Sequence, residues 1–178
     1  GEKLSKDLAL KLSGIENIQF VDNLKEILHS ITTKVDTFYI NKNEHYRANS
    51  PVETREDRFT KWLLKKYTAH KVSKSNPILQ RLRSIKAKDE IGQIKRACEI
   101  TRDGFNRVLK FVKPNVWEYQ IEAEFIHDFI NNSSKGFAYT PIIASGNDNN
   151  VLHYIKNNKI CKEGELILMD VGAEYGNY

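Results

Sequence analysis

One stripe of apolar and small side chains constrains the fold of this 178-residue chain more than any other feature. It recurs every three or four residues, which is the spacing of one face of an α-helix. Asp89 and Glu90 stand at its start, where the helix dipole favours negative charge, and Pro114 follows its end. We therefore predict a helix over residues 89–111 with a core-facing stripe of Ile91, Ile94, Cys98, Thr101, Phe105, Val108 and Val112.

A second core-facing helix is predicted over residues 117–130. Asn115 and Glu118 have the spacing of a capping box, in which both side chains bond to the backbone of the first turn. The apolar face of this helix consists of Trp117, Ile121, Phe125 and Phe129.

Short apolar runs after these helices predict strands. Residues 165–170 are typical of a buried strand that ends in the carboxylate of Asp170, and residues 142–144 indicate a second strand. Helices that alternate with strands favour an α/β fold, so we expect the two long helices to pack on a sheet that contains residues 166–170.

The first part of the chain has the same alternation on a smaller scale. Gly14 suits the end of a first helix, and Asp22 or Asn23 can cap a second. Residues 71–77 are poor in apolar side chains, which predicts a linker and two domains, 1–77 and 78–178. In the first domain the predicted helices are residues 4–13, 24–31 and 52–67, and the predicted strands are residues 18–21 and 37–40.

Composition and charge exclude several classes of protein. No apolar run approaches the roughly 18 to 20 residues of a membrane span, and Cys98 and Cys161 form no metal-binding motif. The net charge is +5. The nearest approach to a basic patch with aromatic side chains consists of Lys61, Trp62, Lys65, Lys66 and Tyr67. Because this stretch also carries core-facing residues, a solvated helix face is favoured, and we predict neither nucleic acid nor membrane as a partner.

Two residues stand out chemically. Asp170 follows an apolar run, where a charge is costly unless a cation or a metal ion is near, although many such residues simply cap a turn. A histidine between apolar neighbours, such as His153, is often a hydrogen-bonded structural residue. An imidazole near neutrality can, however, also donate a hydrogen bond to a substrate carbonyl. The sequence has no serine–histidine–acid elbow, P-loop or nucleotide-binding glycine pattern. The residues alone therefore name no reaction.

Several segments follow one another through residues 84–178. They are Ser84-Ile85-Lys86, Asp89-Glu90-Ile91, Glu118-Tyr119-Gln120-Ile121-Glu122, Ile142-Ile143-Ala144-Ser145-Gly146, Leu152-His153-Tyr154 and Met169-Asp170-Val171-Gly172-Ala173-Glu174-Tyr175. In this order they resemble the start of the catalytic domain of the aminopeptidase P (Xaa-Pro aminopeptidase) family. The resemblance implies that residues 78–178 are the first part of a pita-bread metallopeptidase domain. Residues 1–77 would then be the C-terminal part of a creatinase-type α/β domain.

The resemblance also implies an activity and a site. Members of the family remove an N-terminal residue that precedes proline, with two metal ions, usually manganese, held by two aspartates, a histidine and two glutamates. By position, Asp170 is similar to the first metal-binding aspartate and His153 to the histidine that stabilises the tetrahedral intermediate. Tyr139 is expected to line the same pocket. Two close cations lower the pKa of a shared water, and carboxylate oxygens suit manganese.

By the same resemblance, the remaining metal ligands would follow Tyr178, so we expect an internal fragment that binds no metal pair and is inactive. The parent protein is expected to be a cytoplasmic, homo-oligomeric hydrolase that acts on proline-containing peptides. An open sheet edge in the fragment predicts self-association. Prolidase, which cleaves dipeptides, is the alternative enzyme, and a pita-bread binding module without metals is the alternative from a different class.

Overall fold

In a computed structural model, the chain divides into two compact units, Gly1–Ser84 and Ile85–Tyr178. The structure describes residues 3–42 and 51–178. The division follows Ser84 instead of Pro77, because the helix Asn76–Ser84 belongs to the first unit. Each unit has a two-stranded sheet of its own, and no sheet runs through both units in the described ranges.

The first unit contains a small parallel sheet in which Phe38 lies opposite Val72. Parallel strands need a crossover connection, and here a helix lies between the two strands in sequence. The elements described in this unit are α1 (Lys6–Ser13), α2 (Leu24–Ile31), β1 (Thr37–Ile40), α3 (Arg55–Lys66), β2 (Lys71–Lys74) and α4 (Asn76–Ser84).

Helices α1 and α2 confirm two predicted helices, and Gly14 ends α1 in the left-handed conformation with φ 68°. The strand predicted at residues 18–21 is wrong, because Val21–Asn23 forms a 3₁₀ turn that leads directly into α2. Phe20 is exposed, and an extended segment gains little stability without a partner strand. The cap predicted for α2 is also wrong, since Asn23 makes no side-chain hydrogen bond to the helix.

The segment predicted as a linker, residues 71–77, is regular structure instead. The Lys71 N–H donates to the Asp36 carbonyl at 2.9 Å, and β2 continues from there along β1. Composition missed this strand because any residue except proline can make such backbone hydrogen bonds. By contrast, α3 confirms the helix predicted over residues 52–67, and the Thr54 side chain caps its start.

The second unit combines two long helices with an antiparallel pair of strands. Its described elements are α5 (Lys88–Phe111), α6 (Glu118–Asn131), β3 (Ile142–Ser145) and β4 (Ile167–Asp170). Ile142 lies opposite Asp170, and Ser145 lies opposite Ile167. The two predicted helices and the sheet that contains residues 166–170 are therefore confirmed. None of the described helices has both the length and the apolar character that a membrane crossing needs.

The core of the second unit includes Ile100, Val108, Ile121, Phe125, Phe129 and Ile143. The predicted face of α5 is partly wrong, because Ile91, Ile94 and Cys98 are exposed. The residues that α5 buries are Ala97, Ile100, Gly104 and Val108. A Cβ atom at Gly104 would lie 2.7 Å from Cε1 of Phe129, so the missing side chain lets the aromatic ring approach the helix. Half of this buried face therefore consists of small residues, which a search for large apolar side chains overlooks.

Candidate functional site

Asp170 and Tyr139 form a side-chain pair at the end of β4. The Tyr139 hydroxyl donates to Oδ1 of Asp170 at 2.8 Å, which brings two of the predicted site residues together. The expectation of a buried strand is wrong, because Asp170 is exposed and β4 alternates between half-buried and exposed residues. Ile167 and Met169 pack against the core, which leaves Asp170 on the open face.

The Tyr139 phenol is affected by its surroundings. Although Tyr139 is 48% exposed, desolvation of its hydroxyl, followed by the hydrogen bond to Asp170, raises the pKa of Tyr139 above its ordinary value. A Cβ atom at position 172 would lie 3.3 Å from Cε1 of Tyr139, so Gly172 leaves room for the ring. The phenol is therefore a neutral donor that holds one oxygen of the carboxylate.

His153 lies in an exposed turn of the second unit, away from regular structure. Its φ of 55° is in the left-handed region, which histidine adopts more readily than most residues. No hydrogen bond joins His153 to Asp170 or to Tyr139 within residues 51–178. The structure thus leaves this third predicted site residue apart from the pair.

A buried carboxylate lies beside this turn, that of Glu118, for which the sequence predicts a role in helix capping. Glu118, the first residue of α6, has no exposed surface. Its Oε1 accepts hydrogen bonds from the Ser145 N–H at 2.8 Å and from Ser145 Oγ at 2.7 Å. Its Oε2 accepts from Tyr154 Oη at 2.8 Å and from the Lys159 N–H at 3.0 Å. Four donors therefore converge on one carboxylate.

The start of α6 explains why Glu118 is available for this role. The predicted capping box of Asn115 and Glu118 is wrong, because Oε1 of Gln120 accepts the Trp117 N–H at 2.8 Å. Asn115 lies outside the helix with φ 72°. The sequence carries no local signal for this role, because Ser145 and Tyr154 lie 27 and 36 positions from Glu118. Only the fold brings those residues to the carboxylate.

The side chains around Glu118 are held in their neutral, protonated forms. Burial, together with the hydrogen bond to Glu118, raises the pKa of Tyr154 far above its ordinary value, so the phenol stays protonated. Burial also raises the pKa of the Cys161 thiol. Since a thiolate, not a thiol, is the effective nucleophile, Cys161 is a core side chain and not a candidate catalyst.

A metal centre would need more ligands than these residues supply. Within the described ranges, no group of three or more histidine, cysteine, aspartate or glutamate side chains could hold an ion. Asp170 offers an exposed carboxylate, and oxygen ligands of this type suit hard divalent cations. The described residues therefore fit one ligand position of such a centre and not a complete one.

Residues 92–178 match the family model described as Metallopeptidase family M24. The matched region contains all three predicted site residues, Tyr139, His153 and Asp170. It also contains the buried Glu118 and the residues Tyr154 and Lys159 that donate hydrogen bonds to it.

Relatives align with the whole chain. The Xaa-Pro aminopeptidase of Escherichia coli K12 is 27% identical over 179 residues, and the chain covers 41% of that protein. Xaa-Pro aminopeptidase 3 of Homo sapiens is also 27% identical over 179 residues, with 34% of its length covered. The chain thus spans about two fifths of the first of these relatives and about a third of the second.

A solved structure extends the likeness to the fold. Zinc-substituted E. coli aminopeptidase P in complex with product has a TM-score of 0.84 and 26% sequence identity. The match covers 100% of this chain and 41% of that chain. The resemblance to the aminopeptidase P family and the predicted α/β, pita-bread fold class are therefore confirmed.

Proposed function

Because residues 92–178 match the model of metallopeptidase family M24, we propose that this chain is part of a metal-dependent aminopeptidase. The reaction proposed is removal of an N-terminal residue that precedes proline in a peptide. The observation that carries the proposal is the likeness of the whole chain, in sequence and in fold, to Xaa-Pro aminopeptidase and aminopeptidase P. Fold alone does not imply function, but the matched region here also contains the candidate residues.

Asp170 is proposed as a metal ligand. Its carboxylate is exposed at the end of β4, and the hydrogen bond from Tyr139 occupies only one of its two oxygens. When bound, a pair of divalent ions lowers the pKa of a water molecule and stabilises negative charge on the attacked carbonyl. The hydrogen bond from Tyr139 would orient the carboxylate, as residues behind metal ligands commonly do. Tyr139 would also line the substrate pocket.

His153 is proposed as a catalytic residue that contacts the substrate. The exposed turn makes the imidazole accessible to a peptide. An N–H of the ring would donate to the carbonyl oxygen of the scissile bond, where negative charge develops during attack. The role asks for a fixed donor, so the position of the turn matters as much as the identity of the residue.

Three further parts of the proposal rest on the family resemblance. We propose that the metal is manganese, that the protein is located in the cytoplasm and that it forms a homo-oligomer. We propose that the 178-residue chain binds manganese weakly and has no turnover by itself. A single carboxylate offers little affinity, since tight sites for these cations gather several oxygen ligands.

The test uses the full-length protein with three peptides. Ala-Pro-Ala, Ala-Pro and Ala-Ala-Ala are each incubated with Mn²⁺, with and without a chelator, and released alanine is measured. We expect release from Ala-Pro-Ala alone, and loss of that release with chelator. Cleavage of Ala-Pro alone would assign the protein to the prolidase alternative. If the protein neither binds Mn²⁺ nor cleaves any peptide, the binding-module alternative replaces the proposal.

A further inference from the structure

We propose that Glu118 is a positioning residue for His153, an inference that rests on the function proposed above. The segment concerned is residues 146–160, called here the His153 loop. It follows β3 and returns to the core near Cys161. A catalytic donor must be held close to its productive geometry, and a loop does this only if other groups fix it.

The carboxylate of Glu118 holds the His153 loop at three points. Ser145, which donates to it through both N–H and Oγ, is the residue directly before the loop. Tyr154, which donates through Oη, is the residue directly after His153. The Lys159 N–H donates near the end of the loop. One buried side chain therefore fixes the entry, the middle and the exit.

The tip of the loop has few other anchors, because the hydrogen bonds between Asn149 and β4 and the ion pair of Asp148 with Lys159 lie toward its start and its end. Leu152 is 90% exposed and His153 is also exposed, whereas Tyr154 and Asn157 are buried. Because the residues at the tip of the loop make little apolar contact, the position of its backbone depends on buried hydrogen bonds. Tyr154 is the buried residue closest to His153 in sequence, so its hydrogen bond to Glu118 has the most direct effect on the imidazole.

A second anchor supports the same loop. The Asn157 side chain accepts from the Ile143 N–H at 3.0 Å and donates to the Pro141 carbonyl at 3.2 Å. It also donates to Oε2 of Glu122 at 2.9 Å. This anchor joins the loop to β3 and α6 but lies four residues beyond the histidine. Glu118 is therefore the group whose loss affects His153 most directly.

The chemistry of the contacts requires a carboxylate and not merely a polar side chain. Each carboxylate oxygen faces one backbone N–H, that of Ser145 or that of Lys159, and a backbone donor cannot reverse its role. An amide at position 118 would turn its NH₂ group toward one of these two donors. A buried donor without an acceptor costs more than an average hydrogen bond contributes. Glu118→Gln is thus a nearly isosteric change with a defined defect.

The experiment compares the full-length wild-type protein with Glu118→Gln and with a matched control, Glu124→Gln. Glu124 lies on the same helix but pairs with Arg107, at 2.6 Å, instead of with the loop. Amide hydrogen exchange is followed by mass spectrometry in residues 146–160 and in α5. Kinetics on Ala-Pro-Ala give kcat and KM, and metal content is measured in parallel.

We expect exchange in residues 146–160 to rise about tenfold or more in Glu118→Gln, with α5 unchanged, because the defect is local. We expect kcat to fall about tenfold or more while KM and metal content stay near wild type, since a misplaced donor loses transition-state stabilisation. The control should match wild type in all measurements. Equal exchange in the loop, or an equal rise in α5, would overturn the inference.

A second variant keeps the test decisive if Glu118→Gln does not fold. Tyr154→Phe removes one donor and retains the ring, so the same loop exchange and the same loss of kcat are expected to a smaller extent. If the wild-type protein cleaves Ala-Pro-Ala but both variants keep full kcat, positioning by Glu118 is wrong. If the wild-type protein cleaves no peptide, the proposed function fails, and the exchange data still decide whether Glu118 holds the loop.

Discussion

The Tyr139 hydroxyl donates a 2.8 Å hydrogen bond to Oδ1 of Asp170, which joins residues that lie 31 positions apart. Tyr139 precedes β3 and Asp170 ends β4, so the hydrogen bond joins the start of β3 to the end of β4 in the antiparallel pair. Ile142 lies directly opposite Asp170 in that pair, which keeps Tyr139 within reach of the carboxylate. The position of the proposed metal ligand is therefore fixed by the sheet register as well as by the phenol.

This contact gives a titration that can be measured. Burial is the larger cause of the raised pKa of Tyr139, and the Asp170 carboxylate adds to it. In Asp170→Asn we expect the pKa of Tyr139 to move down toward 10.0 without reaching it, because burial remains. NMR of ring-labelled tyrosine measures the shift, and Tyr139→Phe assigns the signal. An unchanged titration curve in Asp170→Asn would show that the carboxylate does not act on the phenol.

Two glycines of α5 allow a matched test of the core. A Cβ atom at Gly104 would lie 2.7 Å from Phe129 and 3.0 Å from Phe125, whereas one at Gly92 would meet no atom within 4 Å. We expect Gly104→Ala to lower the free energy of unfolding by about 1–3 kcal/mol through overpacking. Gly92→Ala should raise it by about 0.5–1 kcal/mol, because alanine suits a helix interior better. Urea unfolding of the two variants distinguishes these signs, and equal effects would contradict the packing described for α5.

Much of the second unit follows from local pattern, because α5 and α6 each carry a strong periodic signal and β4 is a short apolar run. The buried face of α5 does not, since Gly104 is selected by the aromatic rings of Phe125 and Phe129 that pack on it and not by its own apolar character. The strand β2 was missed for a related reason. Its stability comes from backbone pairing with β1, to which the side chains of residues 71–74 add little.

The candidate site was only partly accessible to sequence reasoning. Residue type and the family resemblance together pointed to Asp170 and His153. The resemblance alone pointed to Tyr139 as a residue of the same pocket. The role of Glu118 was missed because its four donors come from Ser145, Tyr154 and Lys159, which are far from it in sequence. A glutamate at a helix start has a strong local explanation, capping, and only tertiary contacts show that another one applies.

Tyr154 predicts a change of stability at alkaline pH. Its pKa is raised in the folded chain by burial and by Glu118, so the neutral phenol is favoured over the unfolded value of about 10. The stabilisation is fully present below about pH 10 and is lost as the pH rises above it. We expect the wild-type protein to lose more unfolding free energy than Tyr154→Phe between about pH 9 and pH 11. Parallel pH dependence in the two proteins, measured by urea unfolding, would contradict this linkage.

Asp170→Ala predicts a loss of metal in the full-length protein. Removing one oxygen ligand leaves an incomplete site, so we expect bound Mn²⁺ and peptidase activity to fall together. Elemental analysis after gel filtration measures the metal, and alanine release from Ala-Pro-Ala measures the activity. Asp103→Ala is the matched control, because Asp103 is an aspartate of the same unit that pairs with Arg102 on α5, outside the His153 loop. An Asp170→Ala protein with full activity would remove Asp170 from the proposed site.

Substitution of His153 should lower turnover without loss of the metal, and two different substitutions separate this effect from backbone strain. The residue has a φ of 55°, a conformation that asparagine also tolerates but alanine resists at a cost of roughly 1 kcal/mol. We expect His153→Asn and His153→Ala each to lower kcat of the full-length protein by about 10²–10³-fold, because alanine has no donor and the shorter asparagine amide does not carry an N–H to the position of the imidazole N–H. Only His153→Ala should also lose stability in urea unfolding. Both variants should keep wild-type metal content by elemental analysis. If His153→Asn retains full activity, the residue serves the turn and not the reaction, and if either variant loses its metal, His153 belongs among the ligands.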